Sequence, residues 1–336
     1  MVDVHAADES GTRRARLLAV KLRALVQEHL DAPLDTADDQ PAFPPGAAVV
    51  TGGAAWVLID ERPAHRLGSA LAWALRRRVA ELHVVAEVDT GLLARRAAAF
   101  DFPISVWEPR GRQLLAASPE PVPEPRAAPE HHLALRELIV AGGATPVVEH
   151  GVVTGEVRGL EVCRVVDAPG EGSAADTARL EVGVGVHDRE AFQMLHGDTP
   201  TVESLARVVD AVRAHRRPGA PRHPFNRMAA ERYLRWQLED DPGRLGLTTV
   251  EPAEPPVPRT SAVEAVPCVA RGLDRDGAPV ALVCSSGVDL DVVPYAVDVA
   301  GTSPRTMIVT PARDRLGVTV ELAGLVGQSL ELCSID

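Results

Sequence analysis

Two proline-rich stretches, SPEPVPEPRAAPE at 118–130 and VEPAEPPVPRT at 250–260, constrain this chain most. Proline fixes φ and lacks an amide hydrogen, so such stretches favour extended, poorly packed chain. They divide the 336 residues into segments long enough to bury separate cores. The expected boundaries are an N-terminal helix and linker at 1–46, folded segments at 47–117, 130–240 and 262–336, and linkers at 118–129 and 241–261.

The outer segments share one plan. From Thr12 to Leu30, Leu17, Leu18, Leu22, Leu25 and Val26 recur at helical spacing and predict an amphipathic helix. AAVVTGGAAWVLID then places apolar runs around a Gly-Gly turn, the pattern of two short strands. A helix over 66–79, the strand LHVVAEV, a helix from Thr90 to Phe100 and the strand ISVWEP complete a ββαβαβ order. In the last segment, PCVARGLDRDGAPVALVCSS reads as a hairpin across Asp-Arg-Asp-Gly. The helix start DLDVVPYAVDVA, the strand TMIVTP, the helix ARDRLGVTVELAGLV and the strand SLELCSI follow, the same order again.

The middle segment differs. It opens with a helix, HHLALRELIVAGG, closed by glycines suited to a left-handed cap. Three strand-like runs follow, PVVEHGVV, EVRGLEVCRVV and ARLEVGVGV, then a helix from Thr201 to Arg216. Alternation in RLEVGVGVHD puts Leu180, Val182, Val184 and Val186 on one face and Glu181, Gly183, Gly185 and His187 on the other. A face with an acid, two bare backbone positions and a histidine suits a ligand or the close approach of another backbone. The plain alternative is a solvated sheet face, with Glu161 paired to an arginine such as Arg158 or Arg164.

The α-β-β-β-α order with acids in successive runs resembles the PD-(D/E)XK nuclease-like core. The resemblance implies that Glu156 and Glu181 hold magnesium; carboxylates with water suit Mg or Mn, and His187 on the same face is the expected auxiliary ligand or proton carrier. That family places a lysine two residues after the second acid, where this chain has Gly183. The fold class expected is therefore α/β, a central nuclease-like module flanked by two similar ββαβαβ units.

Arg207 to Arg235 holds eight arginines against Asp210 and Glu231, interleaved with Phe225 and Tyr233 and followed by Trp236. Guanidinium forks with aromatics suit phosphate contact and base stacking, which makes Arg213, Arg216, Arg217 and Arg222 candidate DNA or RNA contacts. The net charge of −12 repels nucleic acid on average, so binding needs such a local patch. Two functions follow as expectations. One is nucleic-acid binding or processing through the middle segment; the other is a non-catalytic scaffold, self-associating or meeting a protein partner.

Lys21 is the sole lysine, which excludes a Walker loop and Schiff-base chemistry. With arginine carrying nearly all positive charge, the chain resembles proteins of high-GC bacteria, a likeness that implies no reaction. Cys163, Cys268, Cys284 and Cys333 lie far apart and read as buried reduced thiols. No apolar run of signal-peptide or membrane-spanning length occurs, so a cytoplasmic protein without membrane contact is expected. Thr199 or Thr201 reads as a helix cap, and Asp289 and Asp291 as acids complementing a helix start.

Overall fold

The computed structural model describes residues 3–34, 43, 46–168, 177–186, 188–190, 201–217, 219–220, 223–258, 266–301 and 303–336. Over the described residues the chain is mixed α/β with sheets of five, four and five strands. It divides into two compact units, one of Met1–Val122, Asp289–Ala300 and Leu316–Leu330, the other of Pro123–Val288, Gly301–Arg315 and Glu331–Asp336. The segment expected at 262–336 is thus shared: its helices belong to the first unit and most of its strands to the second. No described helix is long and apolar enough to cross a membrane.

The first unit is built on β1 (Gly46–Thr51), β2 (Ala54–Ile59), β3 (Glu81–Ala86), β4 (Ile104–Arg110) and β5 (Gln113–Ala116), adjacent in that order. Here β1–β2 is antiparallel, and β2–β3 and β3–β4 are parallel. Parallel neighbours need both faces covered, and β2 is buried at every position. From α1 (Asp3–Leu30), Leu22, Leu25 and Val26 pack with Trp56 and Leu58. Helices α2 (Leu67–Arg76) and α3 (Thr90–Ala97) also pack on the sheet, contacting β3 and β4 respectively. Burying Trp56 and Leu58 stabilises the unit by about 1.5–3 kcal/mol each. The strand β5 extends the expected ββαβαβ order by one antiparallel edge.

Within the second unit, α4 (Glu130–Leu133) and α5 (Arg136–Ala141) precede β6 (Thr145–Glu149), β7 (Val152–Val157), β8 (Leu160–Asp167) and β9 (Ala178–Val182). Where the sequence pattern predicts three strands, the structure has four in an antiparallel meander. The turns at His150-Gly151 and Arg158-Gly159 cut two of the apolar runs; each pair is in the left-handed region, a conformation that ends a strand. Ile139 of α5 and Leu205, Val209 and Val212 of α6 (Thr201–His215) share one core with Val153, Cys163 and Val182.

A second sheet in this unit runs β10 (Leu247–Ala253), β11 (Cys268–Asp274), β12 (Pro279–Cys284), β13 (Thr306–Pro311) and β14 (Leu330–Ile335). Strand β10 occupies part of the expected linker at 241–261. It is an edge strand, the place where a sheet tolerates Pro252. Leu234 and Leu238 of α7 (Ala230–Asp240) pack with Cys268, Leu282 and Met307 of this sheet.

Candidate functional site

The chemistry of the middle segment gathers on α7. Its apolar side, Leu234 and Leu238, faces β10–β14, while Arg232 and Arg235, one helical turn apart, reach β6 and β7. Arg235 donates from Nη2 to Glu156 Oε2 at 2.8 Å and from Nη1 to Glu149 Oε1 at 3.1 Å. Arg232 donates to the other oxygen of each carboxylate. Two guanidinium forks therefore cross-link two carboxylates. Arg235 Nε also lies 3.0 Å from Glu239 Oε1, a further charge pair along α7.

Burial works against the charge of Arg232 and Arg235, but Glu156 and Glu149 outweigh it and hold both pKa values above the ordinary arginine range. Burial in turn pushes the Glu239 carboxyl up. Charges removed from water this completely stay ionised only because they are paired and hydrogen-bonded. Glu156, expected as a metal ligand, thus has each carboxylate oxygen held by an arginine. That arrangement does not fit a magnesium or manganese centre, whose ligands must turn their oxygens to the ion.

The second acid cluster is also occupied. Arg189 donates from Nη1 to Glu161 Oε1 at 2.9 Å, and its Nε lies 3.8 Å from Glu181 Oε2. Arg164 forks onto both oxygens of Glu161 at 3.0 Å, and Arg179 holds Glu181 at 2.7 Å. A guanidinium stands where the two acids converge. Of the arginine partners expected for Glu161, Arg164 is the one found; Arg158 instead donates to the Arg216 carbonyl.

The strand expected through His187 stops at Val182. Beyond it the chain bends, Asp188 accepts a bond from the Val184 amide at 2.7 Å, and a helical turn begins at Val186. Val186 is consequently exposed rather than core. Gly183 has φ +141°, and a Cβ there would sit 2.8 Å from the Arg189 amide nitrogen. The bare position admits the returning backbone that carries Arg189. His187 lies outside the described residues.

The arginine-rich segment divides. Arg216, expected on phosphate, is 1% exposed; it donates to the carbonyls of Arg158 at 2.8 Å, Met228 at 2.7 Å and Ala229 at 2.8 Å. Burial lowers its pKa to about 10, partly offset by Glu156, so it remains charged at neutral pH. It serves as an internal brace because its guanidinium donates to these carbonyls and to that of Phe225, which a loop would otherwise bury unpaired. Tyr233 lies under Arg216 at 5.0 Å and Trp236 under Arg158 at 5.1 Å, so these aromatics are spent on internal cations. Arg213 and Arg217 are exposed, with Arg213 donating to the Gly143 carbonyl at 2.6 Å. Arg222 lies outside the described residues.

A cluster absent from the sequence reading lies at the end of β8. His131 Nε2 is 3.2 Å and His132 Nε2 is 2.9 Å from Asp167 Oδ1, and these hydrogen bonds lower the Asp167 pKa. The sequence signal available was the His-His pair; nothing in the spacing tied it to Asp167. A cleft of about 70 Å³ opens beside Glu149, His150, Thr154, Glu161, Arg164 and Arg232. Ligand sites hold about 300–1,000 Å³, so this cleft suits bound water better than a nucleotide.

Comparison of the chain with protein-family models, with curated proteins and with solved structures gives no match.

Proposed function

We propose that the chain is a non-catalytic scaffold, carrying two copies of one ββαβαβ unit, that works by binding a protein partner or a further copy of itself. The observation that carries the non-catalytic reading is the pairing of Glu156 with Arg232 and Arg235, and of Glu161 with Arg164 and Arg189. A nuclease-like centre needs free carboxylate oxygens and a base; here the acids are neutralised by arginines, which keep their protons and cannot act as bases.

Element spacing supports the duplication. The starts Ala54, Leu67 and Glu81 of β2, α2 and β3 keep the same intervals as Pro279, Val292 and Thr306, which open β12, α8 (Val292–Ala300) and β13. Phe100 and Val326 stand at one position, the third residue beyond α3 and beyond α9 (Gly317–Ala323), and pair with each other in an antiparallel bridge. The bonds are reciprocal: Asp101 N–H to Leu325 O at 2.7 Å and Gly327 N–H to Ala99 O at 3.0 Å. Equivalent residues meeting each other is the signature of a two-fold, isologous contact. Here it lies within one chain.

The test is incubation with single- and double-stranded DNA and RNA at about 50 mM salt, where phosphate contacts are strongest. The expected result with Mg²⁺ or Mn²⁺ is no cleavage. Metal-dependent cleavage abolished by Glu181→Gln would overturn the reading. Nucleic-acid binding without cleavage is the second reading, which the exposed Arg213 and Arg217 favour.

A further inference from the structure

We propose that His131, His132 and Asp167 form a solvent-open site for one divalent transition-metal ion of the zinc class. The inference is independent of the scaffold reading, and of any magnesium or manganese at the glutamates.

The donors come from two elements that the fold holds together. Helix α4 packs on β7, β8 and β9, and Asp167 is the last residue of β8. His131 and His132 are adjacent on α4, yet both Nε2 atoms turn to the same carboxylate oxygen, with ring centroids 4.5 Å apart. One ligand atom from each residue lies within 4.8 Å of the other two. Around an ion with bonds of about 2.0–2.2 Å, neighbouring tetrahedral donors stand roughly 3.3 Å apart. The N···O separations of 3.2 and 2.9 Å are already on that scale.

Donor chemistry selects the ion. Two imidazoles and one carboxylate suit zinc, cobalt or nickel rather than magnesium or calcium, which take oxygen. Exposure sets the openness: the Asp167 side chain is 80% exposed, His131 24% and His132 11%. Three protein ligands at a surface leave a coordination position for water. His132 Nδ1 is buried without a hydrogen-bond partner among the described residues. A ligating histidine held through its other nitrogen binds about 10–100-fold more tightly, so affinity below that of a braced zinc centre is expected.

The test uses the full chain without an affinity tag, because added histidines would bind the same ions. Cobalt(II) and zinc are titrated at pH 7.5, reading the visible cobalt bands and the heat of binding, and thermal unfolding is followed with and without zinc. The expected result is one equivalent per chain, a raised thermal midpoint, and at least tenfold weaker binding in His131→Ala and in Asp167→Asn. These side chains are more exposed than His132, so both variants should fold; circular dichroism checks this. No binding below about 1 mM, or binding unchanged when His131→Ala and Asp167→Asn are combined, would overturn the proposal. So would a loss of binding confined to His215→Ala, since His215 and His223 stack at 4.0 Å and offer the competing imidazole pair.

Discussion

Arg235 and Glu156 meet at 2.8 Å with 1% and 5% of their side chains exposed, so a full ion pair sits between α7 and β7 out of reach of water. Breaking a buried pair on one side leaves a charge without a partner, at a cost of about 3–5 kcal/mol. Arg235→Gln should lower the unfolding free energy by that order in a urea titration. Arg179→Ala, which removes the partly exposed pair with Glu181, should change it by less than about 1 kcal/mol. Equal effects from the two variants would mean that the α7 network is no more structural than a surface pair.

A second prediction concerns pH. Asp291 accepts from the Gly68 amide at 2.9 Å at the start of α2, and burial, with Asp289 nearby, raises its pKa from 3.8 to about 7. Between those values the folded state holds a proton that the unfolded chain has released. Stability from this group is therefore greatest below about pH 4, falls as pH rises towards 7, and is flat above. In Asp291→Asn, whose carbonyl can still accept from Gly68, that fall should shrink, and the variant should fare better relative to the parent at pH 8 than at pH 5. Parallel stability curves for the two proteins would refute it.

The arginines separate by role. Should nucleic acid be retained, Arg213→Ala with Arg217→Ala should flatten the dependence of affinity on salt while leaving the fold intact. Arg216→Ala should instead unfold the protein at lower urea, because it strips a brace from the carbonyls of Arg158, Phe225, Met228 and Ala229. A well-folded Arg216→Ala protein with weakened nucleic-acid binding would return Arg216 to the surface role that its neighbours suggested.

The thiols give a further check. Burial pushes Cys163 to about 12, and Cys268 and Cys284 are also buried, whereas Cys333 is part exposed. Since the thiolate is the reactive form, a disulfide reagent at pH 8 should modify Cys333 first in the native protein. Cys333→Ser should remove that first phase. Early modification of Cys163 would show that the β7–β8 core opens readily.

The outer elements were legible because their signals are local. TMIVTP gave β13 as it stands, and glycines and acids marked the hairpins. The middle segment misled because its run lengths conceal the left-handed turns at His150 and Arg158, non-glycine residues whose positive φ no pattern announces. Charge partners were hidden for another reason. Glu156 finds Arg232 and Arg235 far along the chain, and Asp167 finds two histidines on α4, pairings that no spacing encodes. The glycine at 183 was legible as a close approach, but what approaches is the backbone of Asp188 and Arg189.

If the acids of the middle segment hold the fold together, the urea unfolding of Glu156→Gln beside the parent, with and without millimolar Mn²⁺, should show it. The expected result is a loss of about 3 kcal/mol or more that manganese does not alter, since Arg232 and Arg235 each lose a buried carboxylate partner. Unchanged stability, together with manganese binding to the parent that the variant lacks, would contradict it and return Glu156 to a metal centre.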